Sequence, residues 1–113
     1  MNYRIILDAP FKKEVKRLAK KYPSLKKDLS ALQDELLSNP QASIDLGGGL
    51  RKVRMAIASK GRGKSHGARV ITFTVVVAIE ESEINLLTIY DKAERESISQ
   101  KEIEALLKEA DLL

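Results

Sequence analysis

No cysteine occurs among the 113 residues, which excludes both a disulfide framework and a thiolate metal site. Aromatics are nearly as scarce, with two Phe, three Tyr and no Trp. A core must therefore be built from Leu, Ile and Val, and there is little material for a base-stacking platform. The single histidine, His66, excludes any mechanism that needs a histidine pair. The opening M-N-Y-R-I-I-L-D carries no long apolar run, and no 18-residue apolar stretch occurs anywhere. Neither a secretory leader nor a membrane span is expected, and the expectation is one soluble, cytoplasmic domain over residues 1–113.

Charge is plentiful and unevenly spread. Residues 46–79 hold seven Lys/Arg and no acid, whereas residues 80–113 hold four against ten and residues 1–45 nine against six. The formal charge of +4 thus hides a cationic middle third. An unbroken positive segment in a mixed chain is the footprint of a nucleic-acid or other polyanion binder.

The periodicities predict the order β-α-α-β-β-β-α. Tyr3–Leu7 is a short strand, stopped at Asp8-Ala9-Pro10, and Pro in a first turn starts a helix well. Phe11, Val15, Leu18 and Tyr22 share one helical face; Pro23 breaks the run and Ser24 is placed to cap a second helix bearing Leu25, Leu29, Leu32 and Leu36. The two read as an antiparallel hairpin. Gly47-Gly48-Gly49 is a flexible break, followed by strands over Leu50–Ile57, Val70–Ile79 and Ile84–Tyr90, with a turn over Glu80–Glu83. Ser99 and Glu102 have capping-box spacing before a last amphipathic helix with Ile103, Leu106, Leu107 and Ala110. The fold class is α+β, a helical hairpin on one face of a small, mainly antiparallel sheet.

The stretch A-S-K-G-R-G-K-S-H-G-A-R-V, residues 58–70, contains a G-K-S that resembles a nucleotide-binding loop. The spacing fails, because the first glycine of such a loop would fall on Ala58. The context fails too, since a strand and not a helix N-terminus follows, so no nucleotide cofactor is expected. Lys60, Arg62 and Lys64, with Arg51 nearby, are instead candidate contacts to an RNA backbone.

Alternation along the three strands puts Lys52, Arg54, Thr72, Thr74, Tyr90 and Lys92 on one face, with Val53, Met55, Ile71, Phe73, Leu87 and Ile89 on the other. Strict parity groups Arg69 with Ile71, so a bulge or irregular start to its strand is needed to turn it to the basic face.

With this element order, L-R-K-V-R at 50–54, G-R-G-K-S-H-G-A-R-V-I at 61–71 and Y-D-K-A-E-R-E at 90–96, the chain resembles the RelE/HigB-type toxins of bacterial toxin–antitoxin systems. The resemblance implies a small cytoplasmic endoribonuclease that enters the ribosomal A site, meets mRNA and rRNA there, and is neutralised by a cognate antitoxin. It implies a basic cluster as the active site, with no cofactor and no metal. Arg54 and Arg69 would hold the scissile phosphate, Lys52 would act as base beside other cations, Tyr90 would stack on a base or assist proton transfer, and Lys92 would meet leaving-group charge. Two other readings share the fold: a ParE-like gyrase inhibitor, and a catalytically silent RNA-binding member.

Overall fold

The computed structural model describes residues 2–41 and 43–113. The strands are β1 (Asn2–Leu7), β2 (Ile44–Gly47), β3 (Leu50–Met55), β4 (Ala68–Ala78) and β5 (Glu81–Asp91), and the helices are α1 (Ala9–Lys21), α2 (Leu25–Ser38) and α3 (Gln100–Glu109). One five-stranded sheet runs in the order β1-β5-β4-β3-β2. Only β1 is parallel to its neighbour, lying beside β5 with Asn2 opposite Glu81 and Leu7 opposite Leu86.

Local chemistry explains the helix boundaries. Pro10 sits in the first turn of α1, and Tyr22 is extended because Pro23 follows it. Ser24 takes the N-cap position of α2, but its hydroxyl bonds Asp28 and the amide of Ser59 instead of capping. Ser99 and Glu102 form the expected reciprocal capping box at α3.

The glycine run is a tight connection and not a loose break. Gly47, Gly48 and Gly49 all have positive φ, and they turn the chain from β2, which the strand reading had missed, into β3. At Gly49 a Cβ would also come 2.9 Å from the Thr74 carbonyl oxygen. The strand limits shift as well: β3 stops at Met55, β4 begins at Ala68, and β5 already begins at Glu81.

The sheet separates two cores. On one side the α1–α2 hairpin packs Phe11, Leu18, Leu25, Leu29 and Leu32 against Val53, Met55, Val70, Leu86 and Ile89. On the other side α3 covers part of the sheet, joining Ile103 and Leu107 to Leu50, Ile71, Leu87 and Tyr90, with Phe73 at its margin. The expected assignment of faces therefore needs correction on β4. Ile71 and Phe73 lie on the side away from the hairpin, because α3 gives them a second core. Thr72 pairs with Leu86 and Thr74 with Ile84, both residues of the hairpin-side core, so neither threonine belongs to the basic face.

On β5 the cause is a bulge. Ile71 pairs with Thr88 and Thr72 with Leu86, leaving Leu87 without an opposite residue. Leu87 turns to the α3 side, while Ile89 stays on the hairpin side.

Candidate active site

On the α3-side face three strands bring three residues into a row, Arg54 exposed at one end and Arg69 and Tyr90 buried. Arg54 on β3 stands opposite Arg69 on β4, and Arg69 stands opposite Tyr90 on β5. Lys52 is two residues from Arg54 on the same side of β3, and Ile71 is its β4 partner. Arg69 reaches this face by plain alternation with Ile71, so no irregular start to β4 is involved. The expected difficulty came from placing Ile71 on the wrong side.

Arg54 and Arg69 are like charges at directly opposed positions, where Cβ atoms stand roughly 4.5–5.5 Å apart and repulsion is destabilising. Among the described residues, no carboxylate lies within ion-pair distance of Lys52, Arg54 or Arg69. Arg69 is only 7% exposed, while Arg54 is open to solvent. The Arg69 Nη1 donates to the carbonyl oxygens of Lys64 and Ala68, each at 3.0 Å. Its Nε and Nη2 have no partner among the described residues, and together they form one bidentate edge for an oxyanion. Burial, and then the charge of Arg54, pull the Arg69 guanidinium below its ordinary value, in the direction expected for a cation without a counter-ion.

Tyr90 is 5% exposed, and its buried hydroxyl has no hydrogen-bond partner among the described residues. Its ring packs in the α3-side core, and the Arg95 guanidinium carbon lies 5.6 Å from the ring centroid. The hydroxyl, and not an open ring face, is thus what Tyr90 brings to the row. Burial pushes this phenol up, against the opposing pull of Arg69 and Arg95. The phenol is thus held in its protonated form at neutral pH.

The remaining expected site residues are placed elsewhere. Lys92 is half-buried just beyond β5, and with Lys60, Arg62, His66 and Tyr22 it lines a depression of about 370 Å³. Arg51 alternates to the hairpin side of β3 and is engaged by the carbonyl of Ser43 at 3.0 Å and the Gln41 side chain at 2.5 Å. Lys60 is bound to Asp91 at 2.5 Å and to the His66 carbonyl at 2.9 Å. Lys64 pairs with Glu35 at 3.1 Å on the surface, a contact weak enough to yield to a stronger anion. Arg62 is exposed and has no carboxylate partner among the described residues. The G-K-S tripeptide leads through a three-residue 3-10 turn, Lys64–His66, into β4.

Sequence reading missed Asp91, which is fully buried and accepts hydrogen bonds from Tyr22, Lys60 and the Ala93 amide. An acid next to the site tyrosine, in a chain whose neighbouring loop is purely basic, was the available signal.

No helix among the described residues is long and apolar enough to cross a membrane. A family model described as the RelE toxin of the RelE/RelB toxin–antitoxin system matches residues 4–113, nearly the whole chain.

Proposed function

We propose that this chain, which belongs to the RelE toxin family, is a cytoplasmic, metal-independent endoribonuclease that cuts mRNA in the ribosomal A site and is held inactive by a cognate antitoxin. The observation that carries this reading is the row Arg54–Arg69–Tyr90: two opposed arginines beside a buried phenol, with neither a counter-ion for the first nor a partner for the second among the described residues. Such an arrangement is electrostatically incomplete, and a phosphodiester supplies the missing anion.

In this mechanism the free edge of Arg69 and the exposed Arg54 bind the non-bridging oxygens. They then stabilise the extra negative charge that develops when the ribose 2′-oxygen attacks phosphorus. The neutral amine form of Lys52 takes the 2′ proton and becomes the ammonium. The bond from phosphorus to the 5′-oxygen breaks, leaving a 2′,3′-cyclic phosphate, and Tyr90 donates a proton to the departing 5′-oxygen. Arg62, Lys64 and Lys92 supply positive field to the flanking backbone, which places the RNA without reading its sequence.

The test is induction in cells lacking the antitoxin, with 5′ ends mapped on translated messages and gyrase-trapped DNA breaks assayed in parallel. Codon-phased cuts that vanish in Arg69→Ala support the nuclease. Intact messages together with broken DNA would replace this reading by gyrase inhibition.

A further inference from the structure

We propose that Asp91 and Lys60 are positioning residues: a buried ion pair that fixes the loop between β3 and β4, and through it the guanidinium of Arg69. The proposal rests on the reading of Arg69 as the phosphate-binding group. The row leaves one neighbouring charge unused. Asp91 follows Tyr90 directly but faces the hairpin, where it is 0% exposed. One of its oxygens accepts from the Tyr22 hydroxyl, and the other from Lys60 Nζ at 2.5 Å and the Ala93 amide at 2.9 Å. Lys21 approaches to 3.9 Å.

Lys60 comes from the loop, where its side chain is only 13% exposed. Besides Asp91, its ammonium donates to the carbonyl of His66 at 2.9 Å, so one cation ties the loop's beginning to its end and both to β5. Between these anchors lies the turn Lys64–His66, whose first carbonyl receives the Arg69 Nη1. The same Lys64 carbonyl accepts the Gly67 amide at 3.3 Å, and the Gly67 carbonyl accepts the Lys92 amide at 3.1 Å. A continuous set of bonds thus leads from Asp91 through Lys60 and the turn to Arg69. Its β-register matches, since Asp91 stands opposite Ala68 in the pair next to Tyr90 and Arg69.

A loop carrying Gly61, Gly63 and Gly67 is entropically expensive to order, and a glycine-rich connection needs fixed points if it is to aim a side chain. A buried ion pair contributes little net stability over an apolar pair of the same size. What it supplies here is geometry, by setting the carbonyl that orients a cation on the far side of the sheet.

The test compares wild type with Asp91→Asn, Lys60→Met and the double variant Lys60→Met/Asp91→Leu, which removes both charges so that neither is left buried alone. Three readouts are taken on the full chain: trypsin cleavage at Arg62 and Lys64 under native conditions, the Nε–H resonance of Arg69 by NMR, and message cleavage with kcat and KM separated. All three variants should open the loop to trypsin roughly tenfold faster, because proteolysis follows the population of the locally open state. The Arg69 resonance should shift or broaden in each, and kcat should fall on the order of tenfold with KM changed less. A folded double variant with native trypsin protection and an unchanged Arg69 resonance would overturn the proposal. So would a raised KM in Lys60→Met with Asp91→Asn indistinguishable from wild type, since Lys60 would then be a direct RNA contact. If wild type cuts no RNA, the nuclease reading fails, while the trypsin and NMR results still decide on the positioning pair.

Discussion

Tyr90 and Asp91 are neighbours on β5, yet they face opposite sides of the sheet and opposite electrostatic conditions. On the hairpin side, the Asp91 carboxylate is saturated by a lysine, a tyrosine and a main-chain amide. On the other side, the Tyr90 hydroxyl has no partner, and the two arginines in its row have no counter-ion among the described residues. Asp91, Tyr90 and Arg69 are all buried, and both regions are built on the same strands. The difference shows that burial alone does not mark a functional group. A satisfied buried charge holds the structure together, whereas unsatisfied polar groups gathered in one row leave room for a ligand of defined chemistry.

The largest expected effect separates the two sides. Arg69→Ala should lower message cleavage by about 10²–10³, the usual result of removing a group that stabilises a developing oxyanion. Its thermal midpoint should move little, because the loss of two carbonyl contacts is offset by relief of the repulsion from Arg54. Circular dichroism melts beside the cleavage assay check both halves.

Gly67→Ala should damage both sides together. A Cβ there would sit 2.0 Å from the Met55 carbonyl oxygen, backbone that cannot give way. Urea unfolding should show a loss of roughly 1–3 kcal/mol or more, with cleavage falling in parallel as the turn that holds Arg69 is displaced.

Acid should act on the saturated side. Burial pushes the Asp91 carboxyl up, but hydrogen bonds from Lys60, Tyr22 and Ala93 and the charge of Lys60 outweigh it, leaving the group below its ordinary value. A carboxyl lowered by folding stabilises the protein fully above its unfolded value of ~3.9, and that contribution is lost as pH falls through the folded value. The stability advantage of wild type over Asp91→Asn should therefore be constant near neutrality and shrink below about pH 4, measured by urea midpoints across pH.

Arg54→Ala offers a smaller and opposite signature. Removing one of two opposed like charges should leave stability unchanged or raise it by about 0.2–1 kcal/mol while cleavage falls. A clear loss of stability would mean that Arg54 has a structural partner. Smallest of all, Glu35→Ala breaks a surface pair whose side chains are about half exposed, and it should change stability by no more than ~0.5 kcal/mol. Cleavage should be unaffected.

Much of this was legible from residue order. Helical spacing located the hairpin, Ser99 and Glu102 announced α3, and the acid-free segment pointed to the basic row. What failed was the inference from alternation to a single core. Ile71 and Phe73 are apolar and were placed under the hairpin, but α3 makes a second core on the other face, so their parity was reversed. That one reversal also created the difficulty with Arg69 and the false membership of Thr72 and Thr74. The bulge at Leu87 was invisible for a related reason, since apolar residues are acceptable on both covered faces. Which loop cations are paired was not legible, because composition cannot tell a lysine that meets solvent from one that meets Asp91. Lys60 and Lys64 are both paired, and Arg62 remains the free cation of the three among the described residues.

The most direct test of the central claim uses purified ribosomes programmed with a defined message and supplied with wild type, Arg69→Ala or Arg54→Ala. Mapping of the RNA ends should show A-site cuts bearing 2′,3′-cyclic phosphates with wild type. With either variant, folded and equally stable, the cuts should be reduced, by at least about 10² for Arg69→Ala. Undiminished cleavage by a folded Arg69→Ala protein would contradict the account, because the unpaired row would then not be the site.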